Sequence, residues 1–360
     1  MVSFALGLCS GAHARTIEVG SGESIQAALD RAEPGDTVSV AAGTYGGAGG
    51  DALLHVRTSG VRLSAARSAL IDAHGYRYGI LVGDDGTPSA DGCVPIAVRD
   101  FSLSGFTVKS ASHAGIALAG VDGFSVRGTA LLENGEEGVR SLCSAHGLVS
   151  GVFAAGERGA ALRVSDSDHV VVEDSAVTES GVGTLVENSS FTVVRHNQLF
   201  NNAAGAVVLV RPNLPLPATD HVRIAENAII QNDLENPVPS GAGILNAGGD
   251  HVTIERNVVL GNDSFGVATV ASPFGPADRR VDPFVDDERV AHNVILLNGQ
   301  RPDPDRPGPP GADVVFVPHV VDFTTGELVQ EDPDPSSNCF GDNRFFTEYP
   351  SGVTAGLACP

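Results

Sequence analysis

Asparagine recurs in this chain as a fixed pair: Asn197 and Asn202, Asn227 and Asn232, Asn257 and Asn262, Asn293 and Asn298. The residues around each pair repeat too: apolar, any, apolar, two spacers, Asn, an apolar run, then Asn. His221-Val-Arg-Ile-Ala-Glu-Asn227-Ala-Ile-Ile-Gln-Asn232 and His251-Val-Thr-Ile-Glu-Arg-Asn257-Val-Val-Leu-Gly-Asn262 are two copies. A sentence repeated at this length belongs to stacked supersecondary units, each burying its apolar face against the next. The first slot continues upstream with weaker residues, Ser175, Val152, Thr129 and Phe106, at steps of 22 or 23 residues. Downstream the steps lengthen to 30, 30 and 36. The unit is therefore a coil of about 23 residues, with insertions in the later coils.

Within each coil the apolar residues form runs of three to five, such as Val170-Val-Val172, Val207-Val-Leu-Val210 and Val314-Val-Phe-Val317, punctuated by Gly and Asn. Sustained helical periodicity is absent. Three short strands per coil fit an all-β fold, a right-handed parallel β-helix in which each strand pairs with its equivalent one coil away, about 4.8 Å distant. The asparagines then act as internal staples. Each amide bridges neighbouring coils and tolerates the left-handed backbone of a tight turn.

Composition narrows the functions. The formal charge is −22 and the pI near 4.7, which excludes electrostatic binding of nucleic acid or anionic membrane. No apolar span approaches the length of a membrane helix. Residues 1–14 read as a signal-peptide remnant, from the apolar Val2-Ser-Phe-Ala-Leu-Gly-Leu8 and the small residues of Ala12-His-Ala14. Export predicts a secreted or periplasmic protein. The four cysteines beyond that segment allow three pairings. Cys339–Cys359, closing the C-terminal tail, is the preferred one, with Cys93–Cys143 as the second, against the alternative of free thiols. The expected organisation is a solenoid over 15–300, then a Pro-rich loop, a last strand and a tail over 301–360. The chain is expected to be a monomer.

Before the coils, Arg15-Thr-Ile-Glu-Val19 reads as a strand and Ser21–Ala32 as an amphipathic helix with Ile25, Ala28, Leu29 and Ala32 on one face. A helix here caps the open solenoid end. The stretch Ser24-Ile-Gln-Ala-Ala-Leu-Asp-Arg-Ala-Glu-Pro-Gly-Asp-Thr-Val-Ser-Val40, followed by Gly43-Thr-Tyr45, resembles the N-terminal cap of the pectate-lyase-like superfamily. The Asn repeats resemble its carbohydrate-binding and sugar-hydrolysis repeats. The resemblance covers roughly 15–300. It implies a partner that is a polysaccharide or cell-surface glycan, and an enzyme of the uronate lyase or epimerase type. It equally implies non-catalytic glycan-binding or structural proteins, and a further group that helps mature the copper site of a periplasmic reductase. Calcium is the one cofactor it raises, and no residue set in the sequence assigns a metal. The Asp-Asp and His-Gly elements of polygalacturonases find only Gly83-Asp-Asp-Gly86 and His146-Gly147, too far apart for adjacent coils. The Asp-Pro-His-Asp motif of alginate C5-epimerases is absent.

Each coil also carries a strand opened by glycine: Gly115, Gly138, Gly159, Gly183, Gly205 and Gly243. Alternation along these strands puts Arg140, Arg163, Glu187 and Arg211 outward on neighbouring coils, in one line. In uronate chemistry Arg140, Arg163 and Arg211 supply carboxylate neutralisation and base catalysis, while Glu187 and Arg211 contact substrate. Against this stands a plain salt-bridge ladder on a solvated sheet. Insertions at Pro212–Thr219, Asp233–Ser240 and Ala271–Val285 flank the same strands and are expected to wall a groove. The triplets Asp168-His169-Val170, Asp220-His221-Val222 and Asp250-His251-Val252 contain metal-ligand residue types, but read as strand-entry turns in which Asp bonds backbone amides.

Overall fold

The structure, a computed structural model, describes residues 14–360 except 87–89, 91, 236–239, 275–277, 303–308, 323–324 and 326. Most of the signal-peptide segment and the centre of the Pro-rich loop lie outside the described residues.

The chain winds as a right-handed parallel β-helix. Its register confirms the 23-residue coil: Thr107, Ala130, Phe153, Ala176, Gln198, Ala228, Val258 and Val294 pair in succession. The Asn slot lies one residue before this row, so Phe106, Thr129, Val152 and Ser175 do occupy it. Three parallel sheets result. The one used below contains, in order, Gly50–Val56, Tyr76–Gly83, Ala114–Ala119, Glu137–Leu142, Ala160–Ser165, Val182–Glu187, Ala204–Leu209, Ala242–Ala247, Phe265–Val270, Ala312–Val317 and Glu348–Tyr349. Its last strands, with Cys339–Gly341 on a neighbouring sheet, continue the stack beyond residue 300. Inward residues such as Ile116, Val139, Leu162, Ala206, Ile244, Val267 and Val314 form one continuous core.

The asparagines staple the coils. The Asn197 N–H donates to Asn227 Oδ1 at 2.9 Å, Asn227 to Asn257 at 3.0 Å, Asn257 to Asn293 at 2.9 Å and Asn293 to Asn343 at 2.9 Å. Each Nδ2 also donates back to a carbonyl of the preceding coil, those of Val172, Val194, Ile224 and Ile254. The second column runs Asn202, Asn232, Asn262, Asn298 and ends on Asp313. Ser175 and Ser180 extend the columns upstream through their amides. One expectation needs correction. The left-handed backbone falls on the residue before the staple, at His196, Glu226, Arg256 and His292, not on the asparagine. The preceding residue turns the corner, which leaves the Asn side chain free to point into the coil.

The glycine slot has its own cause. A Cβ on Gly205 would meet Ile229 Cγ2 at 2.4 Å and the Gly243 carbonyl oxygen at 2.5 Å, so only a bare Cα lets the facing sheet pack this closely. The N-terminal helix is shorter than the sequence suggests, Ile25–Leu29, with Ser24 accepting from the Ala27 amide as N-cap. Ile25, Ala28 and Leu29 are buried in the core, as their spacing predicts. Both disulfides form as expected, Cys93–Cys143 and Cys339–Cys359, with Cα–Cα distances of 5.5 and 4.8 Å. Among the described residues no helix is long and apolar enough to cross a membrane.

Glu157 takes a staple position normally held by Asn. Its Oε1 accepts from Asn134 Nδ2 at 3.3 Å and its Oε2 from Ser180 Oγ at 3.1 Å. Burial pushes its carboxyl up to about 7, only partly offset by those two bonds. The unfolded value is near 4.3, so folding favours the protonated form, and the penalty grows as pH rises from there to about 7. A glutamine fills the same space without charge, its Nε2 donating to Ser180 Oγ, whose proton goes to the Thr178 carbonyl at 3.0 Å. Glu157→Gln is expected to raise stability by on the order of 2–3 kcal/mol at pH 8 and to change it little at pH 4, read by urea unfolding at both pH values.

Candidate functional site

The outward rows of the eleven-stranded sheet are mostly apolar. One row runs Leu81, Ala117, Arg140, Arg163, Leu185, Val207, Leu245, Ala268 and Val315. Only two members are charged. Downstream, Val182, Val207, Leu245 and Ala268 belong to a separate apolar cluster on this outer face. Upstream, Tyr78, Leu81, Ala114 and Ala117 form another. Charge is therefore confined to a patch between two greasy stretches.

Arg140 and Arg163 share a register position, as the sequence predicts. Glu187 and Arg211 do not extend their line. Arg163 pairs with Leu185, while Glu187 pairs with Ser165 and Leu209, one outward position farther along. Arg211 lies beyond the end of Ala204–Leu209. The four residues form a diagonal. Arg140 and Arg163 stand at the same distance from the glycine slot, which Ala161 fills in the Arg163 coil, whereas Glu187 and Arg211 lie successively farther from Gly183 and Gly205. The diagonal still brings the groups together. Arg163 donates from Nη1 to Glu137 Oε1 at 2.6 Å and from Nε to Glu187 Oε1 at 2.9 Å. Arg211 Nη1 lies 3.6 Å from Glu187 Oε2. Glu187 is completely buried, so its expected role as a sugar contact is corrected: it anchors Arg163 and Arg211 from beneath. Burial works against its charge, but Arg163, Arg211 and Ser165 together hold its carboxyl below the usual range.

Three groups join this patch that the sequence reading missed. Tyr78 Oη donates to Asp85 Oδ2, and Asp85 Oδ1 lies 3.5 Å from Arg140 Nη1. Arg140 Nη1 also lies 3.1 Å from His113 Nε2. Because a guanidinium only donates, Nε2 is assigned as acceptor and Nδ1 carries the proton, 2.8 Å from Glu136 Oε2. Burial and Asp85 raise the Tyr78 hydroxyl well above the usual phenol range, so it stays protonated. A signal was available: Gly79-Ile80-Leu81 repeats the glycine-led pattern one coil before Gly115-Ile116. Of five buried side-chain polar atoms that lack a hydrogen bond among the described residues, three belong here: Glu137 Oε2, Arg140 Nε and Glu187 Oε2. Native interiors hold few such atoms, and their concentration marks where a polar ligand fits.

Loops wall the patch at the C-terminal ends of these strands. Asn188 Nδ2 donates to the carbonyls of Arg211 and Leu216, at 2.9 and 2.5 Å. The Leu216 amide donates to Asp166 Oδ1 at 3.1 Å, and burial pushes the Asp166 carboxyl up to about 6. Arg280 ties the next insertion on, reaching the Leu214 and Ala90 carbonyls, both at 3.1 Å. The insertion at 233–240 precedes its strand and lies partly outside the described residues. The Asp-His-Val triplets fall elsewhere, at the turn leading into the next sheet. There Asp250 accepts from the Asp286 amide as expected, but Asp168 and Asp220 face imidazoles instead.

Over residues 78–259, half of the chain, the sequence matches the family described as the right handed beta helix region. The chain belongs to this β-helix family. Among solved structures, this β-helix resembles the A-module of mannuronan C-5 epimerase AlgE4 from Azotobacter vinelandii, with a TM-score of 0.62 at 15% identity over 89% of this chain and 90% of that one. It also resembles the alginate lyase from Paenibacillus sp. str. FPU-7, with a TM-score of 0.53 at 14% identity over 68% and 94% of the two chains. PfbA, a surface adhesin of Streptococcus pneumoniae, gives 0.54 at 16% identity over 83% and 77%. At these identities the likeness is one of fold. No curated protein matches the chain in sequence.

Removing the buried counter-charge tests the anchoring role. Glu187→Gln is expected to cost about 3 kcal/mol at pH 7, since it strips a partner from a largely buried guanidinium. The lowered carboxyl means this contribution is present above the unfolded carboxylate range and lost as pH falls through the folded one. The deficit in urea unfolding should therefore shrink on acidification.

Proposed function

We propose that this protein works outside the cytoplasm, that it binds an acidic polysaccharide across the charged patch, and that it acts on a uronate residue there by β-elimination or C5-epimerisation. The observation that supports this is the gathering of Arg140, Arg163, Arg211, His113 and Tyr78 in one walled patch that also holds three buried polar atoms without a hydrogen bond. Two disulfides fit an oxidising compartment.

The chemistry needs a uronate carboxylate neutralised, so that the adjacent C5–H becomes acidic. Arg211, half exposed, is the arginine a polymer meets first, with Arg140 and Arg163 behind it. A base then takes the C5 proton. His113, with its Nδ1–H held by Glu136, presents Nε2 for that step once Arg140 turns from it to the substrate. In elimination the C5–H pair forms the new double bond, the C4–O bond breaks, and the leaving oxygen takes a proton. In epimerisation a proton returns to C5 from the opposite face. The buried Tyr78 hydroxyl, still protonated, orients Asp85 and through it Arg140.

A second reading has its own support. Each of the three arginines already faces a carboxylate: Asp85, Glu137 or Glu187. Charge so balanced has less to offer a uronate, which favours a non-catalytic glycan-binding protein. Uronate polymers of varied composition, incubated with the purified protein, separate the two through the ultraviolet absorbance of unsaturated ends and the uronate ratio by NMR. On the enzyme reading, His113→Ala lowers turnover roughly 10²–10⁴-fold with binding nearly unchanged, and Arg211→Ala weakens binding. Binding without turnover selects the second reading. If separate Arg140→Ala, Arg163→Ala and Arg211→Ala variants all keep full binding and activity, the patch is not the site.

A further inference from the structure

The staple slot opens a three-residue strand in every coil, and the sheet these strands build runs from Ala130–Leu132 to Val294–Leu296. The middle residue of each is buried in the core, from Leu131 to Ile295. The first and third residues therefore point outward. Over these seven coils no outward residue is charged, and only Thr178 and Gln198 have polar side chains. The row of third residues carries the greater bulk, with Leu132, Phe200, Ile230, Leu260 and Leu296 all partly exposed. One coil farther, the bridge between Val294 and Arg344 sets Phe346 after Leu296 in the same row. Phe346 is 72% exposed, and Phe153 and Val258 in the row of first residues are 43% and 38% exposed. Lys109, 3.2 Å from Asp72, closes one end of this apolar strip and Arg344 the other.

The neighbouring sheet, built by the strands just before the staple slot, shows how a solvated outer face of this protein looks. There Arg195 lies 2.7 Å from Glu173, and Arg223 donates from Nε to Glu255 at 2.8 Å. The strip has no such pairs, although the chain carries a formal charge of −22. Exposed corner residues such as Glu179, Glu226 and Arg256 border it, so that an apolar centre has a polar rim, as interfaces do. At about 4.8 Å per coil and about 3.3 Å per residue, the strip is about 34 Å long, and about 17 Å wide with its corner residues. Two such faces bury roughly 1,200 Å² when they meet, the lower limit for a stable interface.

We propose that this strip is a self-association surface, on which a second copy of this chain lies in a two-fold dimer, rather than the monomer expected from the sequence. A two-fold contact sets apolar rows against apolar rows, so that little polar surface is stripped of water. Two chains this acidic repel one another, and the strip itself brings no like charges together. A glycan needs hydrogen-bonding groups for its hydroxyls, which the strip lacks apart from Thr178 and Gln198. The modest area makes the dimer a reversible one. The strip and the charged patch lie on different sheets, so pairing leaves the patch of each copy open. This surface owes nothing to the uronate reading, and either can fail alone.

The test is sedimentation velocity of the full chain at micromolar and sub-millimolar concentrations, in low and high salt. A monomer–dimer equilibrium is expected, shifted toward dimer as salt screens the net negative charge. Phe153→Lys and Val258→Lys place a charge where the side chain is already well exposed, so the fold is kept, which urea unfolding checks. Each should weaken dimerisation roughly tenfold or more. Thr253→Lys, on the neighbouring face, should dimerise as the parent does. A parent that stays monomeric throughout overturns the proposal, and its co-sedimentation with insoluble polysaccharide or with vesicles would assign the strip to that partner instead. Folded Phe153→Lys and Val258→Lys variants that dimerise like the parent, or a Thr253→Lys variant that loses as much as they do, overturn it as well.

Discussion

The hydrogen bond from one coil's asparagine amide to the next coil's Oδ1 is the interaction on which this molecule depends. Parallel strands alone hold a fixed spacing but tolerate sliding, because neighbouring registers offer the same backbone bonds. A buried side-chain amide whose Oδ1 accepts from the coil behind, while its Nδ2 donates to a carbonyl behind and to the Oδ1 ahead, tolerates none: a one-residue slip leaves these polar groups unpaired inside the core. Register set in this way decides which side chains are neighbours on the outer faces. The arginines of the charged patch meet partners 24 to 27 residues away in the chain, Arg140 with His113 and Arg163 and Arg211 with Glu187, adjacent only through that stacking.

The staple slot was legible because its spacing is set by a rigid turn, and its weaker upstream members fell where the count placed them. The glycine slot was less legible. Alanine fits one coil in place of glycine, and Glu187 stands one outward position beyond Arg163, where its neighbours bury it completely. Composition could not have revealed this, since glutamate is most often exposed; only Arg163 and Ser165 above it explain its burial. His113, Tyr78 and Asp85 escaped notice for another reason. They sit in the first coils and a connecting loop, before the Asn signature begins, and their grouping arises from side-chain direction rather than pattern. The histidine column was visible in sequence as Asp-His-Val, but the stacking of its rings depends on a left-handed turn at the same place in successive coils, which spacing alone does not show.

Both outer surfaces share a design. Outward groups are repeated once per coil and differ from coil to coil, so that chemistry is written by substitution within a fixed column. The charged diagonal interrupts an apolar row. The apolar strip ends where Lys109 and Arg344 enter it. Function in such a scaffold is local, because each column position answers only to the coils above and below.

The loop wall changes the mechanics of this arrangement. A solenoid with only nearest-neighbour contacts frays from its ends, one coil at a time. Here Arg280 grips the carbonyl of Ala90, 190 residues earlier, and Cys93 on the same loop is covalently joined to Cys143. These two contacts join the coil of Cys143 to the insertion that carries Arg280, on either side of coils that hold the charged patch. Those coils cannot separate without releasing them, so the middle of the solenoid opens as one block while its ends remain free to breathe.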